Sequence, residues 1–400
     1  MEVFIMEKKL GLLPKLILGI LAGIAIGLAS MAAGNYTFVR ILNTFSSIFG
    51  NFLKFIIPFI IIGFVAPGIA DLGKKASKLL IVTAGIAYIS TVIAGFIAFL
   101  TGQSILPHFL KIGDKASGNG ADVSAFFTIE IPPVMGVMSA LVTAFVLGLG
   151  MAALKEKNLL NAIKDFQAIV MMVVRNILIP CIPVYIAGIF ASLSATGEIL
   201  GTIKAFSSVF ILILLLQFAY IALQYIIAGV ITKNNPLKAV KNLLPAYFTA
   251  LGTQSSAASI PVALECSRKN GVDDDVVDFV VPLCATIHLA GDTITLVLGA
   301  MGIMMVSGLE PTAAAIIPYI FMLGVTMVAA PGIPGGGVYA ALGLLENMLK
   351  FDPAQQALMI ALHFSQDSFG TATNVTGDGA IALIVDYINK KNRVKLKAVS

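Results

Sequence analysis

His288-Leu289-Ala290-Gly291-Asp292 and Asn374-Val375-Thr376-Gly377-Asp378 decide how this chain is read. Each sets a Gly-Asp step inside a long apolar segment. Each also follows a hydrophobic stretch broken by small residues: Ser255-Ser256-Ala257-Ala258-Ser259-Ile260-Pro261 before the first, Pro331-Gly332-Ile333-Pro334-Gly335-Gly336-Gly337 before the second. Paired broken segments in corresponding positions point to the binding site of a secondary transporter.

The composition around these motifs requires a lipid environment. With 58% hydrophobic and 12% charged residues, a chain of 400 residues carries more apolar surface than a soluble fold of that size buries. Runs of spanning length cover 16–33, 41–65, 79–100, 134–154, 166–193, 206–231, 279–306 and 357–385, and about 20 residues suffice for each crossing. Eight crossings are therefore expected, with the two interrupted segments outside that count.

The net charge of +5 is not a nucleic-acid surface, because the basic residues fall in short loops on alternate sides of the spans. Lys8, Lys9 and Lys15 open the chain; Lys74, Lys75 and Lys78 follow span two; Lys155, Lys157 and Lys164 follow span four; Lys233, Lys238 and Lys241 follow span six. The tail adds Lys390, Lys391, Arg393, Lys395 and Lys397, against only Arg40, Lys111, Lys115, Lys204 and Lys350 in the opposite loops. This bias places both termini in the cytoplasm. The first apolar run is longer than a signal-peptide core, and the charge pattern needs it as a crossing. Cys181, Cys266 and Cys284 have no metal-type spacing and read as packing residues.

Residues 243–265 are long enough to cross once but carry 253–259 at their centre. Each arm is about ten residues, roughly 15 Å of helix, which is half a bilayer. The segment therefore enters, turns at midplane and returns, in agreement with Lys241 before it and Arg268 and Lys269 after it. Residues 313–349 do the same from the other side. A fainter echo between 51–58 and 175–180, three crossings apart, fits an inverted repeat.

Down span eight, His363, Asp367, Thr371, Asn374 and Asp378 fall at steps of four, four, three and four, on one helical face. Span seven carries His288, Asp292, Thr295 and Gly299 at steps of four, three and four. A carboxylate at the bilayer centre costs roughly 2.5–3.5 kcal/mol, so these aspartates need partners. The choices are a metal ion, the amino group of a solute, or a structural cation such as Lys54 or Arg175.

Taken together, these residues resemble the dicarboxylate/amino acid:cation symporters, the family that includes the glutamate transporters. The serine-rich break at 253–261 is similar to that family's first hairpin tip, 282–292 to its seventh helix, 332–337 to its second tip and 374–378 to its eighth helix. The resemblance implies an all-α membrane protein of eight transmembrane helices and two re-entrant hairpins, built on inverted repeats and working as an elevator. Scaffold helices would lie in 1–78 and 133–204, and the transport domain in 79–132 and 205–400. It further implies a homotrimer in the plasma membrane that binds an amino acid and sodium.

Carried over by position, the resemblance assigns the substrate's amino group to Asp367. Its carboxylate falls to Asn374 and Thr371 with the tips around Gln254, Ser255, Ser256, Ile333 and Gly337. Sodium falls to Asp378 with carbonyls near Cys284, His288 and Asn374, and a second cation to Thr286, Met327 and Ala330. Two positions depart from the pattern. Gly370 stands where glutamate carriers have arginine, and Asp292 where they have threonine, both facing the substrate's side chain. A second substrate carboxylate loses its bidentate partner and meets like charge, so a neutral polar amino acid is favoured over a dicarboxylic one.

A cationic or dicarboxylic substrate with proton coupling remains the alternative. Ala290 and His288 also replace the family's aspartate and asparagine, which puts a third sodium site in doubt and admits a proton through histidine. Two Gly-Asp steps are also a feature of intramembrane aspartyl proteases, but the Gly-x-Gly-Asp form is missing and the hairpins stay unexplained. Gly-x-x-x-x-Gly-Lys-Ser/Thr is likewise missing, so an ion gradient rather than a nucleotide supplies the energy.

Overall fold

The computed structural model describes residues 12–74, 78–112, 121–328, 330 and 335–399. Ile333 and the rest of 331–334, and Lys8, Lys9, Lys75 and Lys115 of the charge pattern, lie outside them. Among the described residues there are helices and no strand, as backbone satisfaction in hydrocarbon demands of any fold that is not a barrel. Six helical stretches are long and apolar enough to cross a membrane: Pro14–Ala33, Thr37–Ala70, Leu79–Phe109, Asn158–Ala195, Ile199–Thr232 and Asp274–Val306.

They belong to α1 (Leu12–Ala33), α2 (Thr37–Lys74), α3 (Lys78–Phe109), α5 and α6 (Asn158–Val173, Ile179–Ala195), α7 (Ile199–Thr232), and α10 and α11 (Asp274–Ile287, Ala290–Val306). Helix α4 (Val137–Ala153) is apolar but short. Helix α14 (Pro353–Val399) is long but carries a buried row of polar groups that lowers its hydropathy. A π-helical turn, Val174–Leu178, joins α5 to α6 just before Pro180 and Pro183.

The chain divides into two compact units. The first comprises Met1–Leu53, Ala116–Pro132 and Met171–Leu200. In it α1 lies directly on α6: a Cβ on Gly19, Gly23 or Gly27 would run into the carbonyl oxygen of Pro183, Ala187 or Ala191. Small residues every fourth position let two apolar helices approach at backbone distance, where dispersion rather than water exclusion holds them together. The extended segment after residue 120 is tied to α2 by Arg40, whose Nε donates to the Ser124 carbonyl at 3.0 Å and whose guanidinium covers the Phe126 ring.

The second unit comprises Lys54–Lys115, Pro133–Val170 and Gly201–Ser400. Its first doubled-back pair is α8 (Pro236–Thr253) and α9 (Ser256–Lys269). Asn235 caps α8 ahead of a proline already in place for the first turn. Gln254 then reverses the chain in the left-handed region (φ 52°), and Ser255 caps α9 by accepting from the Ala258 amide at 3.3 Å. The far ends meet again: Asn242 donates to Asn270 at 2.7 Å, and Asn270 donates to the Ala239 carbonyl at 3.0 Å. Helices α12 (Ala313–Met327) and α13 (Gly336–Leu349) form the second such pair, packed on one another.

The structure corrects one sequence expectation. The 279–306 segment is not one continuous helix, because α10 stops at Ile287 and α11 begins at Ala290. His288 between them has extended backbone and Leu289 is also non-helical, so the four-residue step from His288 to Asp292 is not a helical one. Local composition carries little warning of this, since the break contains neither glycine nor proline.

Candidate functional site

Helices α11 and α14 set the site through two facing glycines. A Cβ on Gly291 would strike the Gly370 carbonyl oxygen and lie 2.8 Å from Thr373 Cβ. This close approach brings Asn374 over the start of α11, where a helix has amides without intrahelical acceptors. Asn374 Oδ1 accepts the Gly291 N–H at 2.7 Å, and its Nδ2 donates to Asp292 Oδ2 at 2.5 Å. The other oxygen, Asp292 Oδ1, lies 2.7 Å from His363 Nε2. One turn along α14, Asp367 Oδ2 accepts the Gly335 N–H at 2.8 Å.

Asp292, His363 and Asp367 are buried and offer three ligand atoms within 4.8 Å of one another, an arrangement able to hold a small cation or an ammonium group. The start of α13 sits against them: a Cβ on Gly337 would come within 2.9 Å of Asp292 Oδ1. Gly335 has φ +74° and no room for a side chain beside the Phe364 ring, so only glycine serves there. A Cβ on Gly370, by contrast, would make ordinary contacts with Asp292 N and Gln217 Nε2 at 3.7 Å.

A second aspartate–histidine pair forms at the α10–α11 break. His288 Nδ1 lies 2.9 Å from Asp378 Oδ1, and its Nε2 lies 3.0 Å from Ser90 Oγ on α3. The His288 amide closes α10 on the Cys284 carbonyl at 2.9 Å. Gly377 makes room for the ring, since a Cβ there would lie 2.7 Å from His288 Cε1 and from Gln224 Oε1. Lys54, a sequence candidate for pairing with these aspartates, instead meets Glu346 at 3.1 Å.

The remaining sequence candidates are spread over the two turns and α14. Gln254 Nε2 donates to Ser368 Oγ at 2.8 Å, linking the first turn to α14. Ser255 caps α9, and Ser256 is buried at its start. Thr371 is buried and hydrogen-bonded to Asp367. Met327 and Ala330 are buried at the end of α12, with the Ala330 amide 3.4 Å from the Met327 carbonyl. Thr286 is exposed, and its hydroxyl donates back to the Leu283 carbonyl at 2.8 Å.

Several polar partners escaped the sequence reading. Gln217 on α7 donates to Thr295 Oγ1 at 3.1 Å and to the Gly291 carbonyl at 3.3 Å. Tyr220 donates to the Ser90 carbonyl at 2.6 Å, and Gln224 donates to Ser90 Oγ at 3.1 Å. Their spacing of three and four within an apolar helix was a visible signal of a polar stripe on α7. His363 was legible on the α14 stripe, but its role as the partner of Asp292 was not.

Buried carboxylates held at helix breaks, among helices long and apolar enough to span a bilayer, define a multi-pass membrane protein with a polar interior. Residues 12–388 match the sodium:dicarboxylate symporter family, and the chain belongs to it. It is 33% identical over 213 residues to human excitatory amino acid transporter 1, a match covering 52% of this chain and 39% of that protein. With the Ambystoma tigrinum transporter of the same name it shares 30% over 274 residues, covering 66% and 49%. The chain thus spans less than half the length of these relatives. The serine/threonine transporter SstT of Acinetobacter baumannii is 25% identical over 403 residues, covering 96% of this chain and 98% of that one.

Proposed function

We propose that the protein is a secondary active symporter that couples uptake of a neutral polar amino acid to a sodium gradient. The observation that carries this reading is the buried Asp292–His363–Asp367–Asn374 cluster, reached by the start of α13 on one side and by α14, to which Gln254 is tied, on the other. Asp367 takes the amino group, a charge-assisted bond that compensates a carboxylate otherwise costly at this depth. Asn374 and Thr371 orient the carboxylate, with Gln254, Ser255, Ser256 and Gly337 beside them. Asp378 and the carbonyls at the α10–α11 break hold sodium, and Met327 and Ala330 with Thr286 form a second cation site.

The two doubled-back pairs are re-entrant hairpins added to eight crossings, with α4 and α14 added to the six long apolar spans. Both termini are cytoplasmic, the chain lies in the plasma membrane as a homotrimer, and transport proceeds by an elevator movement of 79–132 and 205–400 past the scaffold segments. The name of the Acinetobacter relative supports a small hydroxylated substrate, because that match runs almost end to end. Membership of a symporter family sets aside the protease reading.

Flux into liposomes containing purified protein tests this directly, with serine, threonine, alanine, lysine and aspartate each under an imposed sodium or proton gradient. Sodium-driven serine uptake exceeding aspartate uptake is expected. Aspartate ahead of serine would overturn the substrate assignment. A proton gradient driving uptake as well as sodium would favour the second reading, which the contact of His288 with Asp378 supports.

A further inference from the structure

We propose that His363 is the specificity-determining residue of the site: by occupying Asp292 it makes the side-chain end of the pocket reject cationic amino acids as well as anionic ones. The proposal rests on the amino acid symport reading above and narrows its substrate class to small amino acids with uncharged side chains.

An aspartate at the side-chain end of a pocket would, if free, recruit a lysine or arginine side chain. Asp292 is not free. His363 Nε2 lies 2.7 Å from one of its oxygens and Asn374 Nδ2 lies 2.5 Å from the other, and both side chains come from α14. The approach of α11 to α14 at Gly291 and Gly370 holds the two helices in the register that brings these three side chains together.

Its remaining open side is crowded, because Gly337 lies so near that even a Cβ there would sit 2.9 Å from Asp292 Oδ1. The second carboxylate of the cluster, Asp367, is the one left to meet an ammonium group, and every amino acid brings one at its α-carbon. A lysine substrate therefore brings two cations to a site with a single available anion. An aspartate substrate brings a carboxylate towards Asp292 with no guanidinium to receive it. Serine, threonine or alanine brings neither charge.

The imidazole is fitted to this role and not to core packing alone. It is buried on the polar stripe of α14, and its Nδ1 has no hydrogen-bond partner among the described residues. That nitrogen keeps a hydrogen-bonding position unused among the described residues.

Competition against labelled serine uptake, with lysine and aspartate as competitors, tests the proposal in the wild-type protein, in His363→Gln and in the double variant Asp292→Asn/His363→Gln. In the wild type, lysine should compete poorly. His363→Gln leaves Asp292 without its basic partner, and lysine should gain on serine by roughly tenfold or more. The double variant removes the exposed carboxylate as well and should lose that gain, a reversal that a merely structural role of His363 does not produce.

A lysine-to-serine ratio unchanged in His363→Gln overturns the proposal while leaving serine symport intact. Lysine competing as well as serine in the wild type overturns it without recourse to any variant, so poor folding of His363→Gln does not protect it. Absence of amino acid flux in the wild type takes down the symport reading, and this proposal with it.

Discussion

The two Gly-Asp steps are served by histidines in a crossed arrangement: Asp292 of α11 is met by His363 of α14, and Asp378 of α14 is met by His288 from the break before α11. The pairs differ in how their histidines are held. His288 stands outside regular helix with both ring nitrogens engaged, one by Asp378 and the other by Ser90 of α3. His363 lies in the middle of a helix with one nitrogen engaged. The first ring is fixed from two directions and ties three elements together. Among the described residues, the second is hydrogen-bonded to Asp292 alone. On the proposed symport reading, one pair serves positioning and cation binding and the other meets the substrate.

Removing an aspartate from each pair should break this comparison most severely. Asp378→Ala leaves His288 facing no carboxylate, and loss of one partner of a buried pair costs about 3–5 kcal/mol. The expected outcome is a lowered melting temperature in lipid nanodiscs together with loss of sodium-dependent uptake. Asp292→Asn keeps the side chain's shape and one acceptor, and its amide can still donate to His363 once the ring takes the tautomer whose Nε2 accepts, so it should lose less stability than Asp378→Ala. Equal melting temperatures for the two variants would mean that the pairs are equivalent and that the contrast between them fails.

Filling the glycines beside each pair should have the next largest effect. Gly291→Val forces α11 from α14, and Gly377→Val drives into the His288 ring; overpacking of this kind costs about 1–3 kcal/mol each. Gly291→Val should alter substrate affinity, while Gly377→Val should alter the sodium dependence of the same flux. Sodium titrations of uptake by both variants separate these outcomes, and an identical change in both would merge the two regions into one site.

A third change exchanges the chemistry at the reading end. Gly370 has room for a Cβ, so Gly370→Arg combined with Asp292→Thr restores a guanidinium and removes the competing anion. Charge-assisted bonds of about 1.5–3 kcal/mol predict a gain of roughly 10- to 100-fold for aspartate over serine, read by competition. The same gain in Asp292→Thr alone, with no guanidinium introduced, would place the discrimination in Asp292 by itself.

Much of this was legible in the sequence because it is periodic or interrupted. The stripe at 363, 367, 371, 374 and 378 needs only helical spacing, and α14 is continuous through it. The break at Gln254 and Ser255 follows from serines that cap helices better than they continue them. The break at His288 and Leu289 had no such marker, because it is held open by tertiary partners: Asn374 on the Gly291 amide, and Asp378 and Ser90 on the imidazole. Partners from α3 and α7 were hidden for the same reason. Contacts between residues far apart in the chain leave no local pattern, and the pairing of His363 with Asp292 is one of them.

The smallest expected effect concerns the cation that the sequence offered to the buried aspartates and the structure gives to Glu346. Lys54 and Glu346 are each about one-third exposed, 28% and 33% by side chain, at a separation of 3.1 Å. Partly solvated pairs of this kind contribute about 0–1 kcal/mol and weaken with salt. Lys54→Ala should therefore leave the melting temperature, the sodium dependence and the serine preference almost unchanged. Were it instead to match Asp378→Ala in stability loss, Lys54 would be supplying charge to the interior, and the assignment of both aspartates to histidine partners would have to be given up. A null result confines the polar interior to the crossed pairs and the α3 and α7 side chains behind them.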